Sequence, residues 1–257
     1  MKSTRIISAA VALALFSLVV QARAAGAAEI TVLCSVGLKA VMDDLAPKFE
    51  QATKHKVTVK YDLAAVLKRQ IEAGDPFDLV ILTPPMVDDL IKQSKVAADS
   101  RTVIARSGLA IAVRTGSKKP DLSSTDAFKK ALLEAKSIAY AKEGASGVYF
   151  AEIIQGLKIA DALKAKSTLT TTGDAIGEAV LHGTAEFGVL PVSEVLPVHG
   201  IEVGGTFPAE VQRYIVMVAG VGANAKRGSV ARDLIKFLMA PAALPVIKQK
   251  GMERTAQ

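Results

Sequence analysis

Short apolar runs rich in β-branched residues alternate along this chain with stretches whose apolar side chains recur every three or four positions. That alternation is the tightest constraint on its fold. An unbroken apolar run of four to six residues fits a strand covered on both faces, and a three-to-four-residue period fits a helix laid across it. Strands linked through helices pair in parallel, because a parallel pair needs a long crossover. Strands are predicted at 31–34, 57–61, 79–82, 109–113, 137–140, 187–190 and 214–219. Leu38, Val41, Met42, Leu45 and Phe49 mark one face of a helix between the first two. Further helices are predicted at 65–73, 126–135, 148–155, 175–182, 230–239 and 242–250. Gly74, Gly156, Gly183 and Gly251 stand where a left-handed C-cap would end four of them. The fold class is therefore α/β, with mostly parallel sheets flanked by helices.

Two polar, Gly/Pro-containing stretches break the rhythm: Arg114-Thr115-Gly116-Ser117-Lys118-Lys119-Pro120-Asp121, and Gly204-Gly205-Thr206-Phe207-Pro208. If they mark the edges of one inserted unit, the chain forms two lobes. Residues 25–108 and 213–257 make the first and residues 109–212 the second. A cleft between two α/β lobes is a favoured place for a small ligand.

The first residues read as an export signal. Lys2 and Arg5 precede an uncharged apolar run at 6–20, and Ala22-Arg23-Ala24 supplies small residues for a peptidase. The run is short for a membrane anchor. Residues 1–24 are thus expected to be a signal peptide and the mature protein to be periplasmic. Its single cysteine, Cys34, lies in an apolar run and too far downstream to carry a lipid. Losing Lys2, Arg5 and Arg23 leaves 29 basic against 25 acidic side chains, an excess of +4. These charges are dispersed and form no stripe for a nucleic-acid backbone, so a soluble monomer with no nucleic-acid partner is expected.

Four strand-to-helix junctions share an unusual composition: Ser35-Val36-Gly37, Asp62-Leu63-Ala64-Ala65, Gly144-Ala145-Ser146-Gly147 and Thr171-Thr172-Gly173-Asp174. Small residues at a helix start leave backbone N–H groups open where the macrodipole is positive, and such ends hold anions. Taken singly, each junction reads as a simple N-cap; taken as a set converging on one cleft, they point to a ligand. Gly144 to Gly147 is the strongest candidate, because its small residues exceed what a cap requires, and Tyr149 follows where its hydroxyl could close over a guest. The catalytic alternative finds little support. Ser146 lies outside any Gly-x-Ser-x-Gly elbow, and His55, His182 and His199 lack metal-ligand spacing. Asp43-Asp44 and Asp88-Asp89 are adjacent in helical segments and point apart. Neither an enzyme, a metal nor a cofactor is expected.

The stretch Leu67-Lys68-Arg69-Gln70-Ile71-Glu72-Ala73-Gly74-Asp75-Pro76-Phe77-Asp78, together with residues 30–45, 144–157 and 183–189, resembles the periplasmic molybdate-binding proteins of ABC transporters. The similarity runs over nearly the whole mature chain. It implies a two-lobed type II periplasmic binding protein that closes on a small anion and hands it to a membrane permease. Carried onto this sequence, the resemblance and the junctions together implicate Ser35, Val36, Gly37, Ala64, Ala65, Ser146, Gly147, Tyr149, Thr172 and Gly173 in ligand binding. Departures fall among the oxyanion positions: Gly37 replaces a serine, Leu63-Ala64-Ala65 replaces Ser-Ser-Gly, and Pro191 replaces a tyrosine. Molybdate or tungstate is the ligand implied by the family. A small organic carboxylate is its rival, since it needs the helix-end cradle but not the full tetrahedral donor set.

Overall fold

The computed structural model describes residues 26–254, so the expected signal peptide lies outside the described residues. Strands β1 (Glu29–Ser35), β2 (Lys56–Asp62) and β3 (Leu79–Leu82) pair in parallel in the order β2-β1-β3. A second parallel set has β5 (Ile138–Ala141) between β6 (Ser167–Thr170) and β7 (Phe187–Pro191). Two antiparallel strands join the sets. β9 (Tyr214–Val221) pairs with β3, and the long β4 (Thr102–Arg114) pairs with β9 up to Gly108 and with β7 from Leu109. Last, β8 (Ile201–Thr206) lies antiparallel on β4.

Every parallel strand runs directly into a helix. β1 leads through a 3-10 turn at Val36–Leu38 into α1 (Lys39–Thr53), β2 into α2 (Ala64–Ala73) and β3 into α3 (Pro84–Lys92). In the second set, β5 leads into α5 (Ala145–Gly156), β6 into α7 (Gly173–Leu181) and β7 into α8 (Val192–Val195). The remaining helices are α4 (Thr125–Glu134), α6 (Ala160–Lys164), α9 (Gly228–Met239) and α10 (Leu244–Gln249).

The apolar pattern explains the layering. Ile30, Val32 and Cys34 of β1 pack on one side with Val41, Met42, Leu45 and Phe49 of α1, and Leu33 packs on the other with Leu67 and Ile71 of α2. Phe49 is fully buried edge-on against Phe237 of α9, with ring centroids 5.6 Å apart, so the helix near the C-terminus returns to cover the first sheet. Burial of a side chain of this size contributes about 3 kcal/mol. Cys34 is inaccessible, and burial pushes its thiol well above the ordinary range, which leaves a packing residue and not a nucleophile.

Asp78, which ends the most specific run of the family resemblance, is a staple. One of its carboxylate oxygens accepts the Thr31 N–H at 3.0 Å and the other the Arg227 N–H at 3.0 Å, tying β3 to β1 and to the start of α9. Asp78→Ala leaves two donors without their charged acceptor and is expected to destabilise by about 3 kcal/mol. Asp78→Asn keeps one acceptor and should lose roughly half as much, a difference that urea midpoints resolve.

Several elements depart from expectation for visible reasons. β4 starts at Thr102, before the apolar run, because its polar residues have dedicated partners. Arg106 pairs with Glu253 at 2.7 Å and covers the Tyr214 ring at 4.0 Å, while the Ser107 hydroxyl donates to the Gly251 carbonyl at 2.9 Å. The Gly204-Gly205-Thr206 stretch, which breaks the strand–helix rhythm of the sequence, is itself extended and ends β8. A Cβ at Gly204 would stand 3.1 Å from the Ile111 carbonyl oxygen, so glycine permits this close pairing with β4. β6 escaped notice because it is an edge strand with Leu169 exposed. α5 begins at Ala145 and runs through Gly156, and the left-handed residue beyond it is Lys158, at φ 58°. Gly74, Gly183 and Gly251 do take left-handed conformations, at φ 103°, 74° and 71°.

Candidate functional site

The carboxyl ends of both parallel sets face one crevice, the place where open α/β sheets bind ligands. A chamber of about 210 Å³ there is lined by Ser35 and Val36 after β1, Leu63 to Ala65 after β2, and Thr83 after β3. Its opposite wall comes from Ala141 and Gly144 to Ser146 around the start of α5, from Tyr149, from Gly173 and from Pro191. Ile215 and Met217 of β9 also reach it. A more open space of about 490 Å³ adjoins it, sharing Val36, Leu63, Gly173 and Glu194 and adding Thr172, Asp174, Lys39, Asp43 and Asp62.

Of the residues expected from sequence, Ser35, Val36, Ala64, Ala65, Ser146, Tyr149 and Gly173 line the chamber together. Thr172 lines only the adjoining space, and its hydroxyl accepts the Ala175 N–H at 3.2 Å, which makes it an ordinary N-cap. Gly37 and Gly147 line neither space. Gly37 is walled off: a Cβ there would lie 2.5 Å from Met217 Cε, so the room that a serine would need is filled by this methionine. Gly147 has a packing task, since its Cβ position falls 1.6 Å from the Ala141 carbonyl oxygen.

Among the helix starts at the chamber, those after Ser35, Leu63 and Gly144 have no side-chain cap from any described residue. Their first-turn N–H groups are therefore available to a guest at the positive end of the helix. The start of α3 differs, because Pro84 and Pro85 occupy its first positions and offer no N–H. The hydroxyls of Ser35, Thr83 and Ser146 make no side-chain hydrogen bond to any described residue, and Ser35 and Ser146 are only 6% and 7% exposed. Thr83 was missed in the sequence, since it follows a plain apolar strand and precedes two prolines. Apolar side chains fill the spaces between these donors: Val36, Met86, Pro191, Ile215 and Met217.

Two carboxyl groups also enter the chamber, Glu143 and Glu194, where the sequence reading placed none. Glu143 is exposed at the mouth. Glu194, on the four-residue α8, is mostly enclosed and makes no hydrogen bond or ion pair with any described residue. Its Oε2 lies 2.5 Å from where a Gly173 Cβ would stand, so it occupies space that this glycine leaves, and its Oε1 is in ordinary contact range, 3.7 Å, of the Cβ position of Gly37. Burial, with a further contribution from the negative charge of Asp174, pushes its carboxyl up to about 7. Lys39, the basic residue that lines the adjoining space, is engaged by Asp43 at 2.5 Å.

Similarity to known proteins follows this geometry. The chain is 31% identical over 234 residues to an aconitate isomerase of a Pseudomonas species, with 87% of each chain covered. It is 29% identical to a molybdate-binding protein of Azotobacter vinelandii, covering 89% of this chain and 91% of that one. The solved periplasmic molybdate-binding protein of Azotobacter vinelandii superposes with a TM-score of 0.75 at 19% identity, over 88% of this chain and all of that one, and shares the two-lobed type II periplasmic binding fold. A family model for bacterial extracellular solute-binding proteins matches residues 30–253. With that match spanning nearly every described residue, the chain belongs to the bacterial extracellular solute-binding protein family.

Proposed function

We propose that this chain is a periplasmic binding protein whose lobes, residues 25–108 with 213–257 and residues 109–212, close on a small organic polycarboxylate for delivery to an ABC importer. The observation that carries this reading is the distribution of polarity in the chamber. Open amides and free hydroxyls stand at the helix starts, while the wall between them is apolar. A guest with charged ends and a hydrocarbon middle satisfies both parts. A compact tetrahedral dianion would leave part of its oxygen surface against Val36, Met86 and Met217, and each unmade bond to a charged group forfeits roughly 1.5–3 kcal/mol. The chamber's 210 Å³ lies below the range of sites that enclose drug-sized molecules, as suits a small acid. The relative named aconitate isomerase supports an organic acid, and trans-aconitate is the natural first probe.

The molybdate-binding relatives favour the second reading, a molybdate or tungstate guest held by the same helix ends. A thermal-shift series separates the two. trans-Aconitate or another di- or tricarboxylate at about a hundred times its Kd is expected to stabilise the protein by roughly 2.7 kcal/mol. Molybdate, tungstate, sulfate and neutral sugars should give little or no shift. Stabilisation by molybdate with no response to any polycarboxylate would overturn the carboxylate reading.

A further inference from the structure

Glu194 is unexplained by anion binding alone. A carboxyl group without a partner, enclosed between two helix starts, destabilises the fold and repels an anionic guest when ionised. It is also placed with unusual access. Glu194 lines both the chamber and the adjoining space, and with glycine at 173 its Oε2 reaches the start of α7. The open amides at Ala64 and Ala65 and at Ala145 and Ser146 belong to helix starts that line the same chamber. An acid–base group and fixed N–H dipoles around one chamber form the pair of elements needed to loosen a C–H bond next to a carboxylate. The base takes the proton, and the dipoles stabilise the negative charge that spreads onto the carboxylate oxygens.

We propose that Glu194 is a catalytic residue that shifts a proton between two carbons of an unsaturated polycarboxylate bound in this chamber. This rests on the carboxylate reading of the same site. In the step, the Glu194 carboxylate removes a proton from the methylene carbon beside one guest carboxylate. The C–H electron pair becomes a new double bond to the neighbouring carbon, and the old double bond gives its π pair to its far carbon. While protonated, Glu194 exchanges its proton with water in the open cleft; that carbon then takes a proton from Glu194, which returns to the carboxylate form. One C–H bond breaks, one forms, and the double bond moves by one position, with no oxidant, reductant or net change of atoms. A carboxyl held near neutrality suits both halves of the exchange.

The test follows trans-aconitate with the full-length protein in deuterated buffer by proton NMR, alongside binding measured by calorimetry. The wild-type protein is expected to replace the methylene and vinyl protons with deuterium and to form the cis isomer. Glu194→Gln, which keeps the shape and cannot accept the proton, is expected to slow exchange by roughly 100- to 10,000-fold while binding stays within about tenfold. Glu194→Asp, which restores a base set back by one methylene, should recover part of the rate. Exchange by Glu194→Gln at the wild-type rate overturns the assignment, as does wild-type protein that binds trans-aconitate and leaves its C–H protons untouched. Failure of the wild-type protein to bind trans-aconitate is a different result, which removes the carboxylate reading and this proposal with it.

Discussion

Replacing Gly147 by alanine is expected to destabilise the protein by about 3 kcal/mol or more, a fall of roughly 6–12 °C in Tm for a chain of this size. The added methyl would stand 1.6 Å from the Ala141 carbonyl oxygen and 2.7 Å from its carbon, so the obstacle is the backbone of β5 and cannot rotate aside. α5 would have to lift from the sheet. That movement pulls Phe150, Ile153 and Ile154 out of the core and breaks the edge-on packing of Phe150 against Tyr140, whose ring centroids are 5.0 Å apart. It also carries the Ser146 amide away from the chamber, so ligand stabilisation should vanish with the packing. Gly156→Ala at the other end of the same helix is the matched control, since nothing lies within 4 Å of its added methyl. It should be neutral or stabilising by up to about 1 kcal/mol. Equal melting temperatures for the two variants would show that α5 tolerates a larger separation from β5.

Glu194→Gln is expected to change the pH dependence of stability in the opposite sense to the loss of an ordinary surface carboxylate. The wild-type carboxyl is raised from 4.5 to about 7 in the folded protein. Between those values the folded state holds a proton that the unfolded chain has released, so wild-type stability falls as pH rises through this window and stays low above it. The full shift corresponds to about 3 kcal/mol, and water in the open cleft should reduce this to about 2 kcal/mol. The groups facing Glu194 are Asp174 at the start of α7, Glu143 at the mouth, and Lys39, Asp43 and Asp62 across the adjoining space. Glutamine has no charge to bury. The variant should match wild type near pH 4.5 and exceed it by about 2 kcal/mol at pH 8, several degrees in Tm. Parallel curves for the two proteins would mean that the carboxyl is hydrated in the folded state.

How much of this was legible in the sequence depends on whether the signal was local. The apolar runs of β1, β3 and β7 and the left-handed caps at Gly74, Gly183 and Gly251 are local, and each carries its own physical signature. β6 and β8 are not, because an edge strand exposing Leu169 and a strand containing Gly204 and Gly205 become regular only by pairing with a neighbour. The site divides the same way. Ser35, Ala64, Ser146 and Gly173 stood out as small residues at helix starts, yet their meeting in one crevice is a property of strand order. Glu194 carried no signal at all. A single glutamate in a four-residue helix looks like any surface acid, and the space it fills is left by Gly173, which is not near it in sequence.

The position of β9 bears on how the molecule comes together in time. This strand is synthesised near the end of the chain yet sits between β3 and β4, both made far earlier. Until it arrives, β3 keeps an unpaired edge, β4 lacks one of its neighbours, and α9 is not there to shelter Phe49. The first set cannot finish by itself, and pairing across such a separation is intrinsically slow. The part of the chain that is made first thus stays unset until nearly the last strand has been made.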